Sequence, residues 1–178
     1  MSNASNGPAS ASRLQEFTID RLAELGSAEL SFSLTEPEWD GVRSAANAVV
    51  TAIAAGGTVY GVHTHHGHNV KTPADGEDYA RHQRRLLDYL HVGVGAPLAP
   101  VTVRRALRLQ CLKLAAGRSG VDPTIVEAVI ELSNGACDHP VASVGSLGAS
   151  GDLIPMAHAA APAVRRVGIR GPRDVISL

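Results

Sequence analysis

Residues 141–160 read VASVGSLGASGDLIPMAHAA, and the reading of the whole chain works outward from them. Gly145, Gly148 and Gly151 recur every third residue, Ala149 and Ser150 stand between the last two, and Asp152 follows at once. Glycines so spaced let a backbone bend tightly or approach another group closely. The run that follows, LIPMAHAAAPAVRRVG, is rich in alanine and predicts a helix that packs close to its neighbours. Upstream, Asp122 as N-cap and Pro123 at the first helical position open a helix that buries Ile125, Val129 and Leu132 and stops at Asn134-Gly135. Before it, Val101 to Ala116 carries Val103, Ala106, Leu107, Gln110, Cys111 and Leu114 as one stripe, with Arg104, Arg105 and Arg108 expected towards the exposed side and Gly117 closing the element.

Helical signals continue towards the N-terminus. An amphipathic pattern spans roughly Tyr79 to Val92. Thr35 and Glu38 have capping-box spacing, Pro37 lies in the first turn, and Trp39, Val42, Ala46, Val49, Val50 and Ile53 recur at helical spacing until Gly56-Gly57. LQEFTIDRLAELG predicts a short helix, and the alternation in AELSFSL, residues 28–34, predicts a brief strand. A histidine-rich loop lies between Val59 and about Gly76, and there is no internal repeat. Residues 1–12 are small and polar and are expected to form a disordered tail, leaving 13–178 as one mainly α-helical domain.

Composition narrows the function classes. The 178 residues suit one domain with a sizeable core; 44% are hydrophobic and 19% charged, which is globular rather than disordered. Sixteen basic against seventeen acidic side chains leave a formal charge of −1, so no nucleic-acid partner is indicated. No apolar run approaches the ~20 residues that span a membrane, so no membrane partner is expected either. The start lacks the basic and apolar regions of a secretory signal. Cys111 and Cys137 make no disulfide framework, so a cytoplasmic location is expected.

The glycine-rich stretch allows an uncommon reaction. Bending the chain until the Gly151 nitrogen lies on the Ala149 carbonyl carbon closes a five-membered ring. The attacking nitrogen must be unhindered, which favours glycine, and the bend needs unusual dihedrals. Loss of one water from the ring and one from the Ser150 side chain leaves an exocyclic methylidene, an electrophile that no standard side chain provides. The following helix N-terminus would favour the negative charge that develops on attack.

GSLGASGDLIPMAH resembles the signature of the aromatic amino-acid lyase family, which includes histidine, phenylalanine and tyrosine ammonia-lyases and related aminomutases. The resemblance runs in order from about residue 15 to 165. VYGVHTHHG is similar to the family's Tyr-Gly-Val/Ile-x-Thr-Gly-x-Gly loop, HQRRLLDYLHVGVGAPL to its helix ending in Gly-Val-Gly-x-Pro-Leu, and LAAGRSGVDPTIVEAVIELSNG to its Ser-Gly turn and following helix. It implies the N-terminal helical domain of the fumarase/aspartase-like superfamily, with a short strand and active-site loops. It also implies that Ala149, Ser150 and Gly151 form 4-methylideneimidazole-5-one autocatalytically, and that Tyr60 is the base removing the substrate's β-proton. That role needs a phenol pKa lowered from about 10 by neighbouring charge or hydrogen bonds. Tyr89 and Leu90 fall on the family's specificity pair. They lie closer to the Phe-Leu or His-Leu of phenylalanine and tyrosine enzymes than to the Ser-His of histidine enzymes, so an aromatic, non-imidazole substrate is expected. Gln83 matches a family glutamine upstream on that helix, its role left open.

Departures from the pattern carry information too. Thr64, His65, His66 and Gly67 stand where the family has Thr-Gly-x-Gly, placing His65, His66 and Gly67 along the substrate pocket. Arg85 replaces an asparagine, Asp122 an arginine, and Ala142-Ser143 a Pro-x-Glu-like segment. His63, His65, His66 and His68 have a spacing at which imidazoles bind zinc or nickel. No Cys, Asp or Glu lies within HTHHGH, and alternation would split the rings between two faces, so no metal is expected and contact with substrate or tuning of Tyr60 is preferred. His139 and His158 read as structural. The resemblance implies a protein of several hundred residues, with the groups that hold the substrate carboxylate and amine outside the matching portion. The expectation is a small subunit of a split ammonia-lyase that works as a hetero-oligomer with a larger companion subunit. An aminomutase of the same family, or a non-catalytic interaction subunit, are the alternatives.

Overall fold

The computed structural model describes residues 18–62, 64–65, 79–146 and 151–168. The tail expected over 1–12, the start of the first helix, most of the histidine loop, and Ala149 and Ser150 lie outside the described residues.

Six helices and two short strands are present among the described residues: α1 (Ile19–Glu24), α2 (Glu36–Ala54), α3 (Tyr79–Leu90), β1 (Val94–Pro97), α4 (Pro100–Ala115), α5 (Pro123–Asn134), β2 (Ala142–Val144) and α6 (Leu153–Val167). The caps explain several boundaries. Thr18 accepts from the Arg21 amide at the start of α1. At α2 the capping box of Thr35 and Glu38 is complete, with the Thr35 amide donating to Glu38 Oε2 at 2.7 Å. At α5 the Asp122 carboxylate accepts from the Thr124 amide at 2.8 Å, relieving one of the unpaired donors of a helix start.

Helix α4 is central. It buries Val103, Leu107, Cys111, Leu112, Leu114 and Ala115, and packs against α2, α5 and α6. Gly41 sets how closely α2 can cross it, because a Cβ there would stand 2.6 Å from the Ala115 carbonyl oxygen. The alanines of α6 (157, 159, 160, 161 and 163) are all buried, as expected of a helix pressed closely against others. Along α2, however, burial among the striped residues is complete only at Val42, and Ala46, Val49, Val50 and Ile53 stay half-covered.

Two expectations are corrected. Residues 28–34 alternate as expected, with Phe32 and Leu34 buried, yet they form no strand. The Asn134 side-chain amide takes the place of a strand neighbour, accepting from the Phe32 amide at 2.9 Å and donating to the Phe32 carbonyl at 2.9 Å. The strands lie instead at β1 and β2, paired antiparallel with Val94 opposite Val144 and Pro97 opposite Ala142. The second correction concerns the arginines. Arg108 is 0% exposed and Arg104 is also buried. Arg104 donates to the carbonyls of Gly26, Gly135 and Ala136. Arg108 donates to those of Leu25, Ser27, Leu30 and Ser133 and to Asn134 Oδ1. A planar fork of donors suits carbonyls left over by an irregular segment and a helix C-terminus, whose partial negative charge also favours a cation. Charge patterning read these residues as solvated, but available acceptors decided where they went.

Candidate active site

Tyr60 sits in a turn just after α2, where the Val62 amide donates to the Val59 carbonyl at 3.1 Å. Its ring is 60% exposed, whereas Val62 and Thr64 on the same turn are buried. Gly61 lies at φ +75°, a conformation that favours glycine. Its amide donates to Thr64 Oγ1 at 3.2 Å, and its carbonyl accepts from Gln83 Nε2 at 2.6 Å. His65 is half-buried and meets the His82 ring edge-on, with centroids 4.9 Å apart. His66 and Gly67 lie outside the described residues.

Helix α3 ties this turn to the rest of the molecule. Gln83, Leu87 and Leu90 are its buried row, at i, i+4 and i+7. Of the expected specificity pair, Leu90 therefore enters the core, while Tyr89 is 77% exposed on the opposite side. Just past α3 the His91 and His158 rings stack, with centroids 3.9 Å apart and 10° between planes. The Gly93 amide donates to His158 Nε2 at 3.3 Å, and Asp88 faces Arg165 at 3.7 Å. Burial, then the charges of His91 and Arg165, lower the His158 pKa below the ordinary imidazole value. His139 Nε2 lies 3.0 Å from the Ala159 carbonyl. Both histidines thus hold α6 in place.

The glycine-rich stretch enters α6. Gly145 is pressed against the following helix, where a Cβ would lie 2.8 Å from Ile154 Cγ2. Ser146 Oγ donates to Asp152 Oδ1 at 2.5 Å, six residues further on. Ala149 and Ser150 lie outside the described residues. Gly151 is described, at φ +77°, with open space where a Cβ would be, and Asp152 follows at φ +33° and ψ +42°. Two successive left-handed residues, one of them an aspartate, reverse the chain sharply and hold strain in it. The left-handed bend thus falls at Gly151 and Asp152, directly after Ala149-Ser150 in the sequence.

Sequence reasoning assigned Tyr60 and Gly151 to catalysis and Tyr89 and Leu90 to the substrate; in the structure Gln83 ties the Tyr60 turn to α3, and α3 packs against α6. It left out the Gln83 hydrogen bond and the His91–His158 stack. The first was readable as a glutamine in register with Leu87 and Leu90 on an apolar face; the second has no local signature, because 67 residues separate the rings. Neither cysteine is suited to nucleophilic work. Burial pushes the Cys111 thiol up to about 12 and raises Cys137 as well.

The helical arrangement is that of ammonia-lyases and aminomutases. It superposes on the phenylalanine aminomutase of Pantoea agglomerans with a TM-score of 0.73 over 80% of this chain and 27% of that one, at 21% identity. Among curated sequences, the histidine ammonia-lyase of Geobacillus thermodenitrificans is 40% identical over 121 residues, 68% of this chain and 24% of the relative. That of Rhodospirillum rubrum is 41% identical over 127 residues, again 24% of the relative. Residues 17–168 match the family described as aromatic amino acid lyase, and the chain belongs to that family. It spans about a quarter of the length of these curated relatives. No helix among the described residues is long and apolar enough to cross a membrane.

Proposed function

We propose that this chain is the small subunit of a carbon–nitrogen lyase that removes ammonia non-oxidatively from a phenylalanine- or tyrosine-like amino acid. The observation that carries the proposal is the left-handed pair Gly151 and Asp152, directly after Ala149-Ser150, in a member of the aromatic amino acid lyase family. Condensation joins the Gly151 nitrogen to the Ala149 carbonyl carbon and expels two waters, one carrying the Ser150 hydroxyl. The resulting 4-methylideneimidazole-5-one supplies an electrophile for the substrate's amine or aromatic ring. Tyr60 is the base that takes the β-proton; the carbon–nitrogen bond breaks, and ammonia and an α,β-unsaturated aryl acid leave. Tyr89 and Leu90, with His65, His66 and Gly67, shape the side-chain end of the pocket.

A larger companion subunit contributes the groups that hold the substrate carboxylate and amine, within a hetero-oligomer. Support comes from Tyr89, Val92, Val94 and Val144, all exposed around the end of α3 and the β1–β2 pair, an apolar area of the kind that partners cover. Residues 13–178 are the domain contributed. Cys111 and Cys137 are both free and buried, in keeping with a reducing cytoplasm, where we place the complex. A second reading has a specific observation behind it: the relatives at 40% and 41% identity are named histidine ammonia-lyase, so histidine is the competing substrate. An aminomutase would return the ammonia to the β-carbon.

The test joins mass and turnover. The chain, co-expressed with its companion, should be lighter by two waters and should release an aryl acrylate absorbance from phenylalanine or tyrosine. Urocanate from histidine alone would move the substrate assignment to the second reading, and a β-amino acid product would make it an aminomutase. An unmodified mass in a stable complex would reject catalysis and leave a non-catalytic interaction subunit.

A further inference from the structure

We propose that Gln83 is a positioning residue for Tyr60, acting with Thr64 as a two-sided clamp on Gly61, the residue that follows it. The inference rests on the reading of Tyr60 as the base. The backbone that carries the Tyr60 ring, which is 60% exposed, fixes where its side chain starts. That backbone is held at Gly61, the next residue. Gln83 Nε2 donates to its carbonyl at 2.6 Å and Thr64 Oγ1 accepts from its amide at 3.2 Å, both bonds being buried. With Gly61 at φ +75° and the Val62 amide bonded to the Val59 carbonyl, the peptide on the far side of Tyr60 has one orientation.

The choice of residue points the same way. Gln83 is 3% exposed, in register with Leu87 and Leu90 on the apolar face of α3. A leucine would bury there without cost, whereas a buried amide is unfavourable unless its hydrogen bonds are made. Its bond reaches across 22 residues to the turn beside Tyr60 rather than along its own helix. The adjacent His82 adds a second tether, through its edge-on contact with His65. Helix α3 thus carries the clamp on Tyr60 at one end and the substrate-selecting pair at the other. Moving the turn would displace the base relative to the substrate without altering the formation of the electrophile.

The assembled enzyme tests this with Gln83→Leu and Gln83→Glu, which remove the donor, Thr64→Val, which removes the acceptor, and Thr64→Ser, which keeps it. Hydrogen exchange at the amides of residues 60–65 should rise about tenfold in the first three variants, the worth of one buried hydrogen bond, and stay near wild type in Thr64→Ser. In turnover, kcat should fall about 10- to 100-fold, as for a slightly misplaced base, with KM within about threefold. The isotope effect with β-deuterated substrate should grow, and the two-water mass deficit should persist. Unchanged exchange in Thr64→Val, a rise in KM with kcat intact, or loss of the mass deficit along with kcat would each overturn the clamp. Tyr60→Phe in the same series separates the two ideas. If that variant turns over like wild type the base assignment fails, while the exchange data still decide whether Gln83 and Thr64 hold the turn.

Discussion

Replacing Arg108 with methionine should remove about 4 kcal/mol of folding stability, although no acidic group pairs with the guanidinium among the described residues. The side chain is 0% exposed and donates to four carbonyls and the Asn134 amide oxygen, at 2.7 to 3.3 Å. Two of these bonds, to Leu25 and Ser133, are fully buried. Stranding a buried acceptor costs about 1–3 kcal/mol each, so this pair accounts for about 2–6 kcal/mol. The acceptors at Ser27, Leu30 and Asn134 are only part-buried and can turn to water, which returns most of their share. Methionine keeps the apolar volume of the stem and so limits any cavity. Burial and the nearby Arg104 charge lower the Arg108 pKa, so its charge is itself held at some expense, which keeps the sum near the middle of the range. Urea unfolding followed by far-ultraviolet circular dichroism measures the loss. Arg43→Met is the control: its ion pairs with Glu36 and Asp40 are exposed and its midpoint should not move. A loss below about 1 kcal/mol for Arg108→Met would refute the view that the arginine organises residues 25–30 and the end of α5.

Two further outcomes follow from single contacts. Glycine to alanine inside a helix normally gains up to about 1 kcal/mol, yet Gly41→Ala should lose about 1–3 kcal/mol in the same urea assay, because its Cβ would stand 2.6 Å from the Ala115 carbonyl oxygen. A gain would mean that α2 and α4 can separate freely. His158 accepts a hydrogen bond, stacks on His91 and has Arg165 nearby, paired with Asp88, and its pKa is lowered on folding. Its contribution is therefore complete above the unfolded imidazole value of about 6.5 and is lost as pH falls below it towards the folded value. His158→Asn should thus lose less stability than wild type between pH 7 and pH 5; equal losses would remove His158 as the cause.

Local signals were legible where the physics is local. Capping boxes, N-cap aspartates, prolines in first turns and terminal glycines act within four residues, so Thr35, Glu38, Asp122, Pro123 and Gly135 announced helix ends that the structure retains. Of the glycine-rich stretch, Gly151 is described, and its φ of +77° is a conformation that its residue type favours. What the sequence could not specify was partnership. Phe32 and Leu34 alternate like a strand, but whether a second strand or the Asn134 side chain completes the hydrogen bonds depends on a residue more than a hundred positions away. Arg104 and Arg108 carry the signature of a solvated face, and only the folded chain shows that unpaired carbonyls converge on them. The register of Gln83 with Leu87 and Leu90 announces its burial, but its partner, the Gly61 carbonyl 22 residues away, is set by the fold. Hydrogen bonds and ring stacking require groups to meet at about 3 to 4 Å in a set orientation, and for groups far apart in the chain that meeting is decided by tertiary packing alone.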